Sequence, residues 1–224
     1  MRFSTSADVW TAGIAAAMVA SMTSGAALGD STAAPSASEA PAQSVAPTPE
    51  GPIPAHVKAQ AQLDRDSAFG SKMQFAARPV APPAEPIVGF DGTETTLAAH
   101  KGSVVVAVFW ATWCHVCADE MPEIDAFAES LGDAPITVLP ISLDAGPGAE
   151  AKIKRFYEER LMSLPMLVDQ DRKNAGLIGL RATPTAFVLN AEGNIVSVIE
   201  GRGFWNTPEA RKFLETLAED AERG

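Results

Sequence analysis

Trp113-Cys114-His115-Val116-Cys117 contains both cysteines of this 224-residue chain, three positions apart. Two thiols at that spacing can close as a disulfide or open to a dithiol, so the pair is a candidate redox couple. Thiolate is the reactive form of cysteine, and a thiolate at Cys114 would attack a partner disulfide while Cys117 resolves the mixed disulfide that results. A purely structural bond is the competing reading, although closing a two-residue loop removes little unfolded-state entropy. Zinc needs two more thiolates or imidazoles, and the chain offers only His56, His100 and His115, so no metal centre is expected. A c-type haem needs histidine directly after the second cysteine, where Ala118 stands. Cu(I) suits soft thiolates, with His115 as a third candidate ligand, which leaves a metallochaperone or a non-catalytic binding module open.

The flanking residues say what positions the dithiol. Ser103 to Trp110 (SVVVAVFW) is an unbroken apolar run rich in β-branched residues, which predicts a central strand buried on both faces. After it, Met121, Ile124, Phe127 and Leu131 recur at three- and four-residue spacing and predict a helix from Cys114 to about Leu131. Cys114 therefore falls at a helix N-terminus, where unpaired N–H groups and the positive dipole end favour thiolate. Pro122 should remove one hydrogen bond from that helix and kink it. A hairpin turning at Asp91-Gly92 should precede the central strand. After the helix come a strand over Ile136 to Leu143, placed near an edge or ending early because of Pro140, and a helix over Ala149 to Arg160. A short strand (Met166 to Val168), a short helix (Lys173 to Ile178), a strand pair (Thr185 to Leu189 and Ile195 to Ile199) and a last helix (Thr207 to Glu222) complete the reading. Strands separated by helices and closed by a hairpin describe an α/β sandwich with a mixed sheet.

The N-terminal part differs in composition. Val9 to Gly29 carries no charge and consists mainly of small residues, which fits an export signal cut after Gly29 better than a retained anchor, the other option for residues 1–29. Residues 30–86 hold 10 of the 17 prolines among Ala, Ser, Thr and Gln, so 30–83 is expected to be a linker, with a short helix between His56 and Ala76 as an equal alternative to unstructured spacer. The folded domain is expected over 84–224, which holds 12 basic and 22 acidic residues of a chain with net charge −11. That balance disfavours nucleic acid or an anionic lipid surface as the main partner, since both need a basic face.

Phe109-Trp110-Ala111-Thr112-Trp113-Cys114-x-x-Cys117, then Glu120-Met121-Pro122 and later Thr183-Pro184-Thr185, resembles the thioredoxin superfamily, more narrowly its exported TlpA/ResA/CcmG group of thiol-disulfide oxidoreductases. The resemblance implies a thioredoxin-like fold with a leading hairpin and a central αβ insertion, here the helix from Ala149 to Arg160 and its strand. It implies that Pro184 is a cis-proline beside the dithiol, where it and Thr183 meet an extended substrate backbone, with Trp113 as a partly exposed platform. On residues alone Pro184 reads as a plain loop proline, and Glu120 as a solvated glutamate like Glu123 or Glu129. The resemblance instead makes Glu120 an acid near the site that takes the proton of Cys117. One departure stands out: many relatives have proline before the second cysteine, where this chain has Val116, and His115 beside Cys114 could stabilise its thiolate and shift the couple towards oxidising potentials.

The resemblance implies a periplasmic or otherwise extracytoplasmic enzyme that reduces protein disulfides, in cytochrome c or cytochrome oxidase maturation, with a membrane thiol reductant as electron donor and no cofactor beyond the Cys114–Cys117 disulfide. A DsbA-like oxidant is the alternative direction. Peroxidase chemistry on the same fold would require a proline and a threonine seven and three residues before the first cysteine, where Ala107 and Ala111 stand.

Overall fold

The β-branched run ahead of the dithiol forms β4 (Val104–Trp110), and every residue of it is buried. The structure, a computed structural model, describes residues 54–219. The export segment expected over 1–29, and residues 30–53 of the expected linker, lie outside the described residues.

Both edges of β4 are used. It pairs in parallel with β5 (Ile136–Ser142) and antiparallel with β7 (Thr185–Leu189). β7 pairs with β8 (Ile195–Glu200), and β5 with the two-residue β6 (Leu167–Val168). The expected hairpin is β2 (Ile87–Gly89) with β3 (Glu94–Thr95), and β2 also pairs with β6, which puts the hairpin at one end of the mixed sheet. Pro140 corrects the expectation drawn from it: β5 lies inside the sheet and runs to within one residue of its predicted end. β6 pairs only with Ile141 and Ser142, so Pro140 precedes the segment that needs a second partner and its missing N–H is tolerated.

The second correction concerns the boundary at residue 84: of the two readings of the linker the short helix is the one present, and folded elements extend back over residues 55–80. α1 (Ala55–Gln62) packs against the last helix, α5 (Pro208–Ala218), with an ion pair from Lys58 to Glu219. β1 (Met73–Val80) then pairs antiparallel with β8 and becomes the strand at the opposite end of the sheet. Between them Phe69 is fully buried, its ring 5.6 Å from Trp205 and 5.9 Å from Phe213 of α5. Proline content misled here because α1 and β1 avoid it almost entirely: Pro79 is the one proline between Ala55 and Val80, and it sits where the β1–β8 register is already interrupted.

The long helix α2 (His115–Ser130) runs through Pro122. A proline at that position cannot bond the carbonyl of Ala118, four residues back. Arg160, the last residue of α3 (Ala149–Arg160), donates from Nε to that same carbonyl at 3.4 Å. α3 is also anchored through Phe156, whose ring lies 4.7 Å from that of buried Trp110. The short α4 (Lys173–Leu177) is held by buried Asp169, whose carboxylate accepts from the backbone N–H of Asn174 at 3.0 Å and of Ala175 at 2.8 Å.

Candidate active site

Three residues carry the chain from the end of β4 to Cys114, and Asp144 fixes their path. Its buried carboxylate accepts from the Thr112 N–H at 2.8 Å, the Thr112 hydroxyl at 2.6 Å and the Ser142 hydroxyl at 2.8 Å, so a charge placed under the loop is fully engaged. Cys114 takes the N-cap position of α2, with extended backbone, and its Sγ accepts the N–H of Cys117 at 3.1 Å. The donor that normally meets a serine or aspartate oxygen at a helix start is aimed at sulfur instead. Cys114 and Cys117 form a disulfide with their Cα atoms 5.2 Å apart. Cys114 is 7% exposed and Cys117 0%, so of the two residues only Cys114 reaches the surface.

The remaining expected residues gather around that sulfur. The Thr183–Pro184 peptide bond is cis, and the Thr183 carbonyl oxygen lies 3.5 Å from Cys114 Sγ. The Pro184 carbonyl accepts the Gly201 N–H at 2.8 Å, tying this connection to the end of β8. Trp113 is 62% exposed, whereas Trp110 is buried. His115 stands exposed on the first turn of α2, and its ring has no hydrogen-bond partner among the described residues. No group of three or more His, Cys, Asp or Glu among those residues is arranged to hold a metal ion.

Glu120 is not the solvated glutamate that its position alone suggests. It is 1% exposed, one helical turn beyond Cys117 on the same buried stripe. Its Oε1 accepts the Gly203 N–H at 2.6 Å and the Trp205 indole N–H at 3.1 Å, while the buried Oε2 has no partner. Burial pushes its pKa up, opposed by the hydrogen bonds from Gly203 and Trp205. Glu123 and Asn206 fasten the same loop from outside: Arg202 bonds Glu123 at 2.7 Å, and the Asn206 N–H donates to Glu123 at 3.4 Å.

Gly203 and Trp205 are site residues that sequence reasoning misses. They lie more than eighty positions from Glu120, and a Gly-Phe-Trp triplet after a strand announces no chemistry. Gly203 has a steric reason to be glycine, because a Cβ there would lie 2.4 Å from the indole nitrogen of Trp205.

The chain is similar to known proteins. The chain is 25% identical over 115 residues to the thiol-disulfide oxidoreductase ResA of Bacillus thuringiensis (strain Al Hakam), covering 51% of this chain and 65% of that protein. With the thioredoxin-like protein YneN of Bacillus subtilis (strain 168) it shares 27% identity over 110 residues, 49% of this chain and 64% of the other. The match therefore spans a little under two thirds of these relatives. The fold resembles that of a protein assigned as the thiol:disulfide interchange protein DsbE of Chlorobium tepidum, with TM-score 0.53 and 22% identity over 64% of this chain and 96% of the other. The fold is thioredoxin-like, as the motifs around Cys114 and Pro184 imply. The AhpC/TSA family model matches residues 80–198, more than half of the chain, and the chain belongs to the AhpC/TSA family.

Proposed function

We propose that this protein is an extracytoplasmic thiol-disulfide oxidoreductase that reduces disulfides of other proteins. The observation that carries the reading is the unequal pair: Cys114 at a helix N-cap with a small remaining exposure, and a fully buried Cys117 one helical turn from a buried carboxyl group. In the reduced enzyme the Cys114 thiolate attacks one sulfur of the substrate disulfide, and the other sulfur leaves as a thiol after taking a proton. Cys117 then gives its proton to the Glu120 carboxylate and attacks Cys114, which releases the second substrate thiol and closes the Cys114–Cys117 disulfide. Two electrons pass to the substrate, and the enzyme is left oxidised. Trp113 and Thr183 flank the attacked sulfur and receive the substrate backbone beside Pro184, while His115 tunes the Cys114 thiolate.

A membrane thiol reductant regenerates the dithiol, and the substrates are cysteine pairs of apo-cytochrome c or of cytochrome oxidase copper sites. Both fit the named ResA relative and an N-terminal export segment or anchor. Among the described residues no helix is long and apolar enough to cross a membrane. Peroxidase chemistry does not fit the residues before Cys114, where buried Ala107 and Ala111 replace the proline and threonine it needs.

The reduction potential of the Cys114/Cys117 couple tests the direction. A value near about −270 mV, as for thioredoxin, agrees with a reductant, and one near about −120 mV identifies an oxidant like DsbA. Tight stoichiometric Cu(I) binding by the reduced protein without disulfide turnover would replace the enzyme by a copper-binding module.

A further inference from the structure

Beside the attacked sulfur the surface opens into a cleft of about 530 Å³, bordered by Trp113, Leu143, Arg172, Arg181, Ala182 and Thr183. Thr183 lines the cleft, and its carbonyl oxygen lies 3.5 Å from Cys114 Sγ. The cleft thus shares Thr183 with the reacting centre. Its charged lining is of one sign, arginine only, on a chain of net charge −11.

These two arginines differ from most others in the fold. Arg155, Arg160, Arg202 and Arg211 each pair with a glutamate. Arg172 and Arg181 have no carboxylate partner among the described residues, and both are exposed. Arg172 is nevertheless held in place: its Nε donates to the Leu143 carbonyl at 3.1 Å and its guanidinium lies 5.9 Å from the Trp113 ring centre. Both Nη groups are left unpartnered and ready to meet a carboxylate in the forked geometry that guanidinium favours. Arg181 precedes Thr183 by two residues, so at most about 7 Å of backbone separates it from the carbonyl that touches the sulfur.

We infer that this cleft docks an acidic stretch of the substrate polypeptide, an extended segment with a carboxylate one to four residues from the cysteine under attack, and that Arg181 and Arg172 are its counter-charges. The inference rests on the oxidoreductase reading and adds a sequence preference to it. Residues in an extended segment advance about 3.3 Å each, so a cysteine seated at Cys114 carries its near neighbours along the cleft. A preference set by exposed ion pairs acts mainly on the encounter and weakens with salt.

The test uses the full-length protein, reduced and then freed of reductant, in single turnover with three disulfide peptides that differ only in having Asp, Asn or Lys beside the cysteine. A small neutral disulfide serves as the fourth oxidant. Formation of the Cys114–Cys117 disulfide is followed by mass and by tryptophan fluorescence. The expected order is Asp over Asn over Lys, with about fivefold between the extremes at low ionic strength, shrinking in high salt. Arg181→Glu should reverse the order, and Arg172→Ala should narrow it. Equal rates for the three peptides, or an order unchanged in the Arg181→Glu, Arg172→Ala double variant with native thermal stability, overturn the acidic-segment assignment and leave the oxidoreductase reading standing. Faster reaction with the small neutral disulfide than with every peptide also overturns it, because the cleft then contributes nothing to a polypeptide partner. No exchange with any of the four overturns the oxidoreductase reading and the docking assignment together.

Discussion

The two sulfurs of one disulfide face two different environments. Cys114 lies beside the Thr183 carbonyl, and Thr183 and Trp113 border a cleft edged by two arginines without carboxylate partners among the described residues. Cys117 is fully buried, one helical turn from Glu120, whose Oε2 has no partner and whose partner Trp205 packs on Phe69 and Phe127. The contrast separates two tasks that a dithiol must perform in sequence. Recognising a partner needs exposed, screened charge, whereas moving a proton at the resolving thiol needs a carboxyl group whose affinity for protons is raised by exclusion of water. A separation of three residues along one helical turn is enough to give the two sulfurs these different surroundings.

The largest expected effect comes from erasing the buried half of the couple. Cys117→Ala should stop turnover and accumulate mixed disulfides linked through Cys114, visible as reductant-sensitive adducts on a non-reducing gel. Adducts formed instead by Cys114→Ala would invert the assignment of the open and closed sulfurs.

Glu120→Gln should slow resolution by about 10²-fold, within the range for loss of a general base, with little change in the first attack. It should also alter stability in a pH-dependent way. The Glu120 pKa is raised in the folded state, so its favourable contribution is complete below the unfolded value, about 4.3, and is lost as pH rises through the folded value. Melting temperature of the parent should therefore fall relative to Glu120→Gln across that window and stay offset above it. Parallel melting curves over the whole pH range would show that the carboxyl group is not held in its buried, proton-retaining state.

Phe69→Ala should cost about 3 kcal/mol by emptying a site under Trp205, measured by denaturant titration. If Trp205 shifts as a result, the pH dependence of resolution moves with it. Arg202→Ala breaks a surface ion pair with Glu123 and should change stability by less than about 1 kcal/mol. A large loss there would mean that the loop carrying Gly203 is held from outside rather than by the buried carboxyl group.

The open half of the site was largely readable in the sequence and the closed half was not. The spacing of Cys114 and Cys117, the β-branched run before them and the apolar stripe after them are local patterns, and the observed strand and helix follow them within a residue or two. Pro184 and Thr183 came from a motif match. Glu120, by contrast, is buried by a loop far along the chain, and no period of the helix reports that its polar position is roofed by Gly203 and Trp205. The folded state of residues 55–80 was hidden for a different reason. β1 is buried only at its first residue and mostly exposed beyond it, so it lacks the alternation that marks a half-buried strand, and what holds it is backbone pairing with β8.

That pairing has a temporal consequence. Ribosomes make α1 and β1 before the rest of the described fold, yet their partners β8 and α5 are made last. The packing of Phe69 on Trp205 and on Phe213 of α5 therefore joins the two ends of the domain, and it is complete only once the final helix exists. A partly synthesised chain already contains both cysteines but lacks the roof over Glu120. Under the proposed mechanism, proton transfer at Cys117 waits for the completed domain, so full redox competence belongs to finished molecules.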